Sequence, residues 1–195
     1  MQKLSYALGL IIGQNLKGMN IEGLDTAEFA RAVQQVVAGE KLEMTEVQAQ
    51  GMVQQYLQEQ QEAAGKAARE AGENFLAENR KREGVTVTES GLQYEVLTSA
   101  IGQKPTAADR VRCHYEGRLI DGTVFDSSYQ RGEPATFPLS GVIAGWTEGL
   151  QHMAIGSKFR FFIPFNLAYG AQGAGGSIPP YAALIFDVEL LGINE

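Results

Sequence analysis

A single cysteine, Cys113, in 195 residues excludes an internal disulfide, so the fold has to hold by packing alone. With only His114 and His152 beside it, no spacing fits a metal centre, and no metal or other cofactor is expected. Clustered basic charge is missing too. Sixteen Lys and Arg against 23 Asp and Glu leave a net charge of -7, which argues against a nucleic-acid partner. The one dense basic run, Arg80-Lys81-Arg82, reads as a solvated helix end. No apolar run reaches the roughly 18 residues of a membrane span. The tight apolar stretch Leu8 to Ile12 is broken by Gly9 and followed by no A-x-A site, so no signal peptide is read. The expected compartment is the cytoplasm, with the periplasm as the alternative if a leader has been removed.

Proline is also absent from residues 1–83, while all six prolines lie between Pro105 and Pro180. That shift puts a boundary near Gly84 and predicts helices before it. Leu4, Ala7, Leu8, Ile11 and Ile12 recur at helical spacing, and Asp25-x-x-Glu28 opens a second helix that Gly39 suits as a C-cap. Thr45-x-x-Gln48 is a capping-box signature, after which nothing stops a helix until Gly84, about 38 residues and roughly 57 Å. The middle of that helix, "QEQQEAAGKAAREAGE", has no large apolar side chain. It is predicted to be a solvent-surrounded rod, with hinges at Gly65 and Gly72, where glycine weakens a helix by about 1 kcal/mol relative to alanine. The first helix is apolar around much of its circumference, more than so short a segment can cover by itself, which predicts a homodimer through residues 1–44. Gly9-x-x-x-Gly13 suits close approach of two such helices. Residues 45–83 then form a connecting helix and 84–195 a second domain.

In that second domain residues 91–97, 110–119, 157–164 and 183–191 alternate with period two, and Gly, Asp and Ser separate them. One short helix, residues 145–153, interrupts. The predicted class is α+β: an all-α N-terminal module, a long linking helix, and an antiparallel sheet wrapped around one short helix.

The stretch "HYEGRLIDGTVFDSS" (114–128) gathers residues of a catalytic kind, yet the usual partners are missing. Cys113 and His114 are strand neighbours and point to opposite faces, which makes a thiol-imidazole dyad geometrically poor. Ser127 and Ser128 lack the G-x-S-x-G context of a nucleophile and read as turn residues. The run "GAQGAGG" (170–176) leads directly into Ile178-Pro179-Pro180, which cannot supply the helix N-terminal amides of a phosphate loop. What remains is aromatic surface at strand ends and loops, with the sole tryptophan, Trp146, starting the short helix and Asp126 among the rings.

The segments "VRCHYEGRLIDGTVFDSS", "GVIAGWTEGLQHMAIGSKFRFFIP" and "LAYGAQGAGGSIPPYAALIFDVELL" resemble, in order and separation, the FKBP-type peptidyl-prolyl isomerases over residues 90–192. The N-terminal part, with "SYALGLIIGQNL", is similar to the dimerising module of the Mip and FklB group. The resemblance implies a chain that isomerises X-Pro bonds in unfolded or partly folded polypeptides without a cofactor, with chaperone-like holding by the dimer. It assigns Asp126, Tyr169, Phe186, Tyr115 and Trp146 to catalysis. Phe125, Arg131, Phe137, Val142, Ile143 and Ile178 are assigned to substrate binding in the same apolar pocket. A rapamycin-like macrolide is an implied ligand, although Ala135, Leu167 and Ala174 depart from the commonest residues around the rim. The alternatives are a proline-segment binding module without catalysis and a holdase chaperone.

Overall fold

Freedom from proline lets three helices follow one another, α1 (Gln2–Gly18), α2 (Thr26–Ala38) and α3 (Glu46–Asn79). The architecture comes from a computed structural model that describes residues 2–19, 21 and 23–194. Both expected caps are formed. The Asp25 carboxylate accepts from the Ala27 and Glu28 amides at 2.9 and 3.1 Å, and Gly39 ends α2 at φ 69°, a conformation that costs glycine nothing. At the start of α3 the Thr45 amide donates to Gln48 Oε1 at 2.9 Å and the Gln48 amide donates to Thr45 Oγ1 at 3.3 Å, so each side chain accepts from the other residue's otherwise orphaned amide.

The chain divides into two units, Met1–Gln54 and Gln55–Glu195. Within the first, neither α1 nor α2 contains a buried residue. Leu8, Ile11 and Val37 remain 53%, 56% and 83% exposed, so the apolar faces that drive helix formation are uncovered.

The second unit is built on an antiparallel sheet of β1 (Val85–Val87), β2 (Gln93–Thr98), β3 (Arg110–Leu119), β4 (Val124–Ser127), β5 (Ala135–Pro138), β6 (Lys158–Ile163) and β7 (Leu184–Ile193). The strand order is β1-β2-β6-β7-β3-β4, with β5 also paired to β3. The four strands with clear alternation are β2, β3, β6 and β7. β1, β4 and β5, of three or four residues each, are too short for a period-two pattern to register. Two helices join the sheet, the single turn α4 (Ser128–Arg131) and α5 (Ala144–Leu150). Leu150, Phe161, Ile163, Val188 and Leu190 are among the residues that close the core between α5 and the sheet. α5 approaches closely because glycine stands at two contact points. A Cβ on Gly145 would lie 2.5 Å from Ile163 Cγ2, and one on Gly149 would lie 2.6 Å from Phe161 Cε1.

The C-terminal half of α3 does not behave as the expected free rod. Gly65, Gly72 and Asn79 are buried, and with Ala68 and Phe75 they form one face of the helix. A Cβ on Gly72 would stand 3.0 Å from Ala183 Cβ, so this glycine is a contact and not a hinge. The helix also stops at Asn79, short of Gly84, because its end is welded to β2. Asn79 Nδ2 donates to Gln93 Oε1 at 2.8 Å, and Gln93 Nε2 donates to the Leu76 carbonyl at 2.9 Å, giving two buried amides their partners. Arg82, expected to be a solvated helix end, donates to Asn79 Oδ1 at 2.8 Å and to Glu95 at 3.1 Å, and lies over the Phe162 ring.

Candidate active site

The site begins with the alternation of β3, which turns Val111 and Cys113 into the core and Tyr115 to the same side. Cys113 is fully buried, and burial pushes its thiol up to about 12, so it behaves as a small core residue. On β7 Val188 pairs with Tyr115 and Phe186 with Gly117, and the buried Phe186 ring stands 6.4 Å from that of Tyr115. α5 brings Trp146, 4% exposed, against both. Its ring meets Tyr115 at 5.1 Å and 88° and Phe186 at 5.2 Å and 84°, while Phe137 from β5 stands at 5.3 Å. Phe125 of β4 meets Phe186 edge-on at 5.5 Å. Edge-to-face contacts of this kind hold rings more firmly than burial alone. The Trp146 indole N–H has no hydrogen-bond partner among the described residues, so packing alone orients the ring.

Together these rings surround a cavity of about 550 Å³, within the range of small-ligand sites. Val142, Ile143, Tyr169 and Ile178 complete its wall, with Asp126 as the carboxylate in its lining. Of the eleven residues assigned from the sequence, Arg131 alone stays outside the lining, acting on it through neighbours. The Tyr115 hydroxyl donates to Asp126 Oδ2 at 2.5 Å, and Arg131 donates to Asp126 Oδ1 and to the Tyr115 oxygen. Burial and the Asp126 hydrogen bond hold the Tyr115 hydroxyl protonated above its usual range, against the opposing pull of Arg131. The Tyr169 phenol is likewise raised, first by burial and then by the Asp126 charge. Ile143 is the residue just before α5, at φ -59° and ψ 147°. The described residues contain no cluster of metal-ligating side chains, and the one cysteine, Cys113, is buried in the core.

Two residues essential to this geometry were not singled out from the sequence. Gly117 on β3 leaves the space that the rings fill, since a Cβ there would sit 2.5 Å from Phe186 Cε1 and 2.7 Å from Phe125 Cε2. An isolated glycine in a strand pattern is the signal by which the sequence could have marked it. Ser128, read as a turn residue, is fully buried and pins Tyr115 by its backbone. The Tyr115 amide donates to Ser128 Oγ at 2.7 Å, and the Ser128 hydroxyl faces the Tyr115 carbonyl at 3.1 Å and His114 Nδ1 at 2.9 Å. His114 stacks on Tyr129 at 4.7 Å and His152 on Tyr94 at 5.4 Å, neither at the cavity.

The chain is similar to known proteins over nearly its whole length. Residues 102–191 match the profile of the FKBP-type peptidyl-prolyl cis-trans isomerases, and residues 1–96 match the domain amino terminal to such isomerases. The probable FKBP-type isomerase FkpA of Neisseria meningitidis serogroup B is 50% identical over 203 residues, covering all of this chain and 75% of the relative. The chain belongs to the FKBP-type peptidyl-prolyl cis-trans isomerases. Another relative, the outer membrane protein MIP of Legionella longbeachae, is 38% identical over 99% of this chain and 85% of its own length. The crystal structure of FkpA from Escherichia coli superposes with a TM-score of 0.79 at 35% identity, covering 99% of this chain and 96% of that one. Helical N-terminal domain and antiparallel FKBP body are therefore both family features. Within the FKBP body, Ala174 lines the cavity, Leu167 packs against the core, and Ala135 pairs with Cys113 across β5 and β3.

Proposed function

We propose that this isomerase turns X-Pro bonds of unfolded or partly folded polypeptides inside the aromatic cavity, without covalent chemistry. The observation that carries the reading is a largely aromatic and aliphatic cavity with one hydrogen-bonded carboxylate at its edge. The barrier to X-Pro rotation, about 18 to 20 kcal/mol, arises from amide resonance, and no bond has to break. Water stabilises the planar, charge-separated amide more than the twisted one. An apolar cavity removes that advantage and so favours the transition state relative to the ground state.

In this reading Trp146, Phe186, Phe125 and Tyr115 wall the proline ring, while Phe137, Val142 and Ile178 flank it. The Ile143 amide and the Tyr169 hydroxyl hold substrate carbonyls. Asp126 is an orienting acceptor, fixed by Tyr115 and Arg131, and moves no proton. A rapamycin-like macrolide is expected to compete for the same apolar volume. Catalysis of X-Pro peptide isomerisation by the full chain, lost on Phe186→Leu and Asp126→Ala with the fold retained, is the test. Unchanged rates would refute the assignment.

Residues 1–44 serve dimerisation in the same reading, 45–83 connect, and 84–195 catalyse. A second copy is the occupant best suited to the bare apolar faces of α1 and α2, which exceed what a soluble monomer usually leaves uncovered. No heavy atom lies within 4 Å of a Cβ placed on Gly9 or Gly13, so that face is open to another helix. The dimer gives holding of client chains a physical basis. Sedimentation should give twice the chain mass, and Leu8→Lys with Ile11→Lys should give the monomer; a wild-type monomer at micromolar concentration ends the proposal. As to compartment, the cytoplasmic expectation finds no support among the relatives. The outer-membrane location in one relative's name favours the cell envelope, which fractionation of the native host tests.

A further inference from the structure

Gly65, Arg69 and Gly72 lie three to four residues apart on α3, hence on one face, and beneath them runs the chain that leaves the cavity rim at Ile178. A Cβ on Gly65 would stand 3.2 Å from Pro180 Cβ and 3.3 Å from the Tyr181 ring. The Arg69 guanidinium, held by Glu73 at 2.8 Å, lies over two rings, Phe165 at 5.4 Å and Tyr181 at 5.9 Å. Those rings meet each other edge-on at 5.3 Å.

Tyr181 is held in an unusual state. Its φ of 58° is in the left-handed region, which a bulky side chain enters only where its surroundings over-determine it. Its amide donates to the Gly170 carbonyl at 2.8 Å, and the Gly170 amide donates to the Phe165 carbonyl at 2.9 Å. Gly170 follows Tyr169 directly. At the other end Ile178 exchanges two hydrogen bonds with Ala174, at 2.9 and 3.0 Å. The loop from Tyr169 to Ile178 thus has both ends in the cavity wall and its base closed by Phe165 and Tyr181, the two rings on which Arg69 sits.

We propose that Arg69, seated by the gaps at Gly65 and Gly72, is a positioning residue for the Tyr169–Ile178 loop that walls the substrate cavity. Through it this part of α3 belongs to the isomerase's substrate-recognition apparatus. The proposal rests on the reading of the cavity as the isomerase site. Because Arg69 acts on the rim and not on the aromatic floor, its loss weakens substrate capture and spares the rotation step.

The test is steady-state kinetics of the full chain on a short X-Pro peptide. Arg69→Ala and Gly72→Leu should raise KM about five- to tenfold while kcat changes less than about twofold. Arg69→Lys keeps a cation over the two rings and should recover most of the loss. Lys66→Ala, on an exposed neighbouring position, should match wild type. If Gly72→Leu does not fold, Arg69→Ala decides alone, since it removes only a largely exposed side chain. KM unchanged in Arg69→Ala, with Phe186→Leu still impaired, overturns the proposal and leaves the pocket reading intact. An inactive wild-type chain overturns both.

Discussion

The Tyr115 hydroxyl donates to Asp126 Oδ2 at 2.5 Å from the neighbouring strand, and Arg131 bonds to both partners from the helical turn that follows. Two side chains, from β3 and α4, thereby fix the β4 carboxylate at the edge of an apolar cavity. The carboxylate's hydrogen-bonding capacity is partly spent on its neighbours, as expected of an orienting group.

From this, Asp126→Ala should lower kcat/KM for an X-Pro peptide by about tenfold or more, equivalent to at least about 1.4 kcal/mol of transition-state stabilisation. Tyr115→Phe keeps the ring and removes one donor, so about a three- to tenfold loss is expected. Peptide isomerisation followed by NMR line shape or a coupled assay measures both. A Tyr115→Phe loss exceeding that of Asp126→Ala would contradict the assigned roles.

Gly117→Ala introduces a methyl group into the space of Phe186 and Phe125. Overpacking of this kind costs about 1 to 3 kcal/mol. Thermal unfolding should show a lower Tm, and activity should fall because the displaced rings are the cavity wall itself. Retention of both would mean that the two phenylalanines have room to move aside.

Ser128→Ala deletes the hydroxyl that pins the Tyr115 amide and leaves a buried donor unpaired, at about 1 to 3 kcal/mol. Ser128→Thr, which keeps the hydroxyl, separates the lost bond from the altered volume. Amide exchange at Tyr115 is the direct readout, with faster exchange expected in the alanine variant.

Asp187 predicts a pH dependence of stability. Burial would raise its carboxyl, but hydrogen bonds from Arg160 at 2.5 and 2.8 Å and the charges of Arg160 and Arg118 prevail and hold it below the ordinary range. A depressed folded-state pKa contributes stability above the unfolded value and loses it as pH falls through the folded value. Tm should therefore decline below about pH 4, and Asp187→Asn should flatten that decline while lowering Tm at neutral pH.

Cys113, with its thiol pushed up to about 12 by burial, should resist alkylation at pH 8 in the folded chain and react at once on unfolding. Rapid labelling of the native protein would show that the core opens at β3.

The sequence alone determined the helices of the first part and the four long strands of the second, because caps, proline and periodicity are local signals. Asp25, Gly39 and the Thr45/Gln48 pair each act within four residues of themselves. The pocket residues were reached by resemblance, since periodicity does not bring together Tyr115, Trp146 and Phe186, the first and last of which are 71 positions apart. Only the tertiary structure decided that the alanine- and glycine-rich stretch of α3 packs and is not free. Small residues give no hydrophobic signal in a sequence, yet against Pro180, Tyr181 and Ala183 their missing side chains are what permit contact.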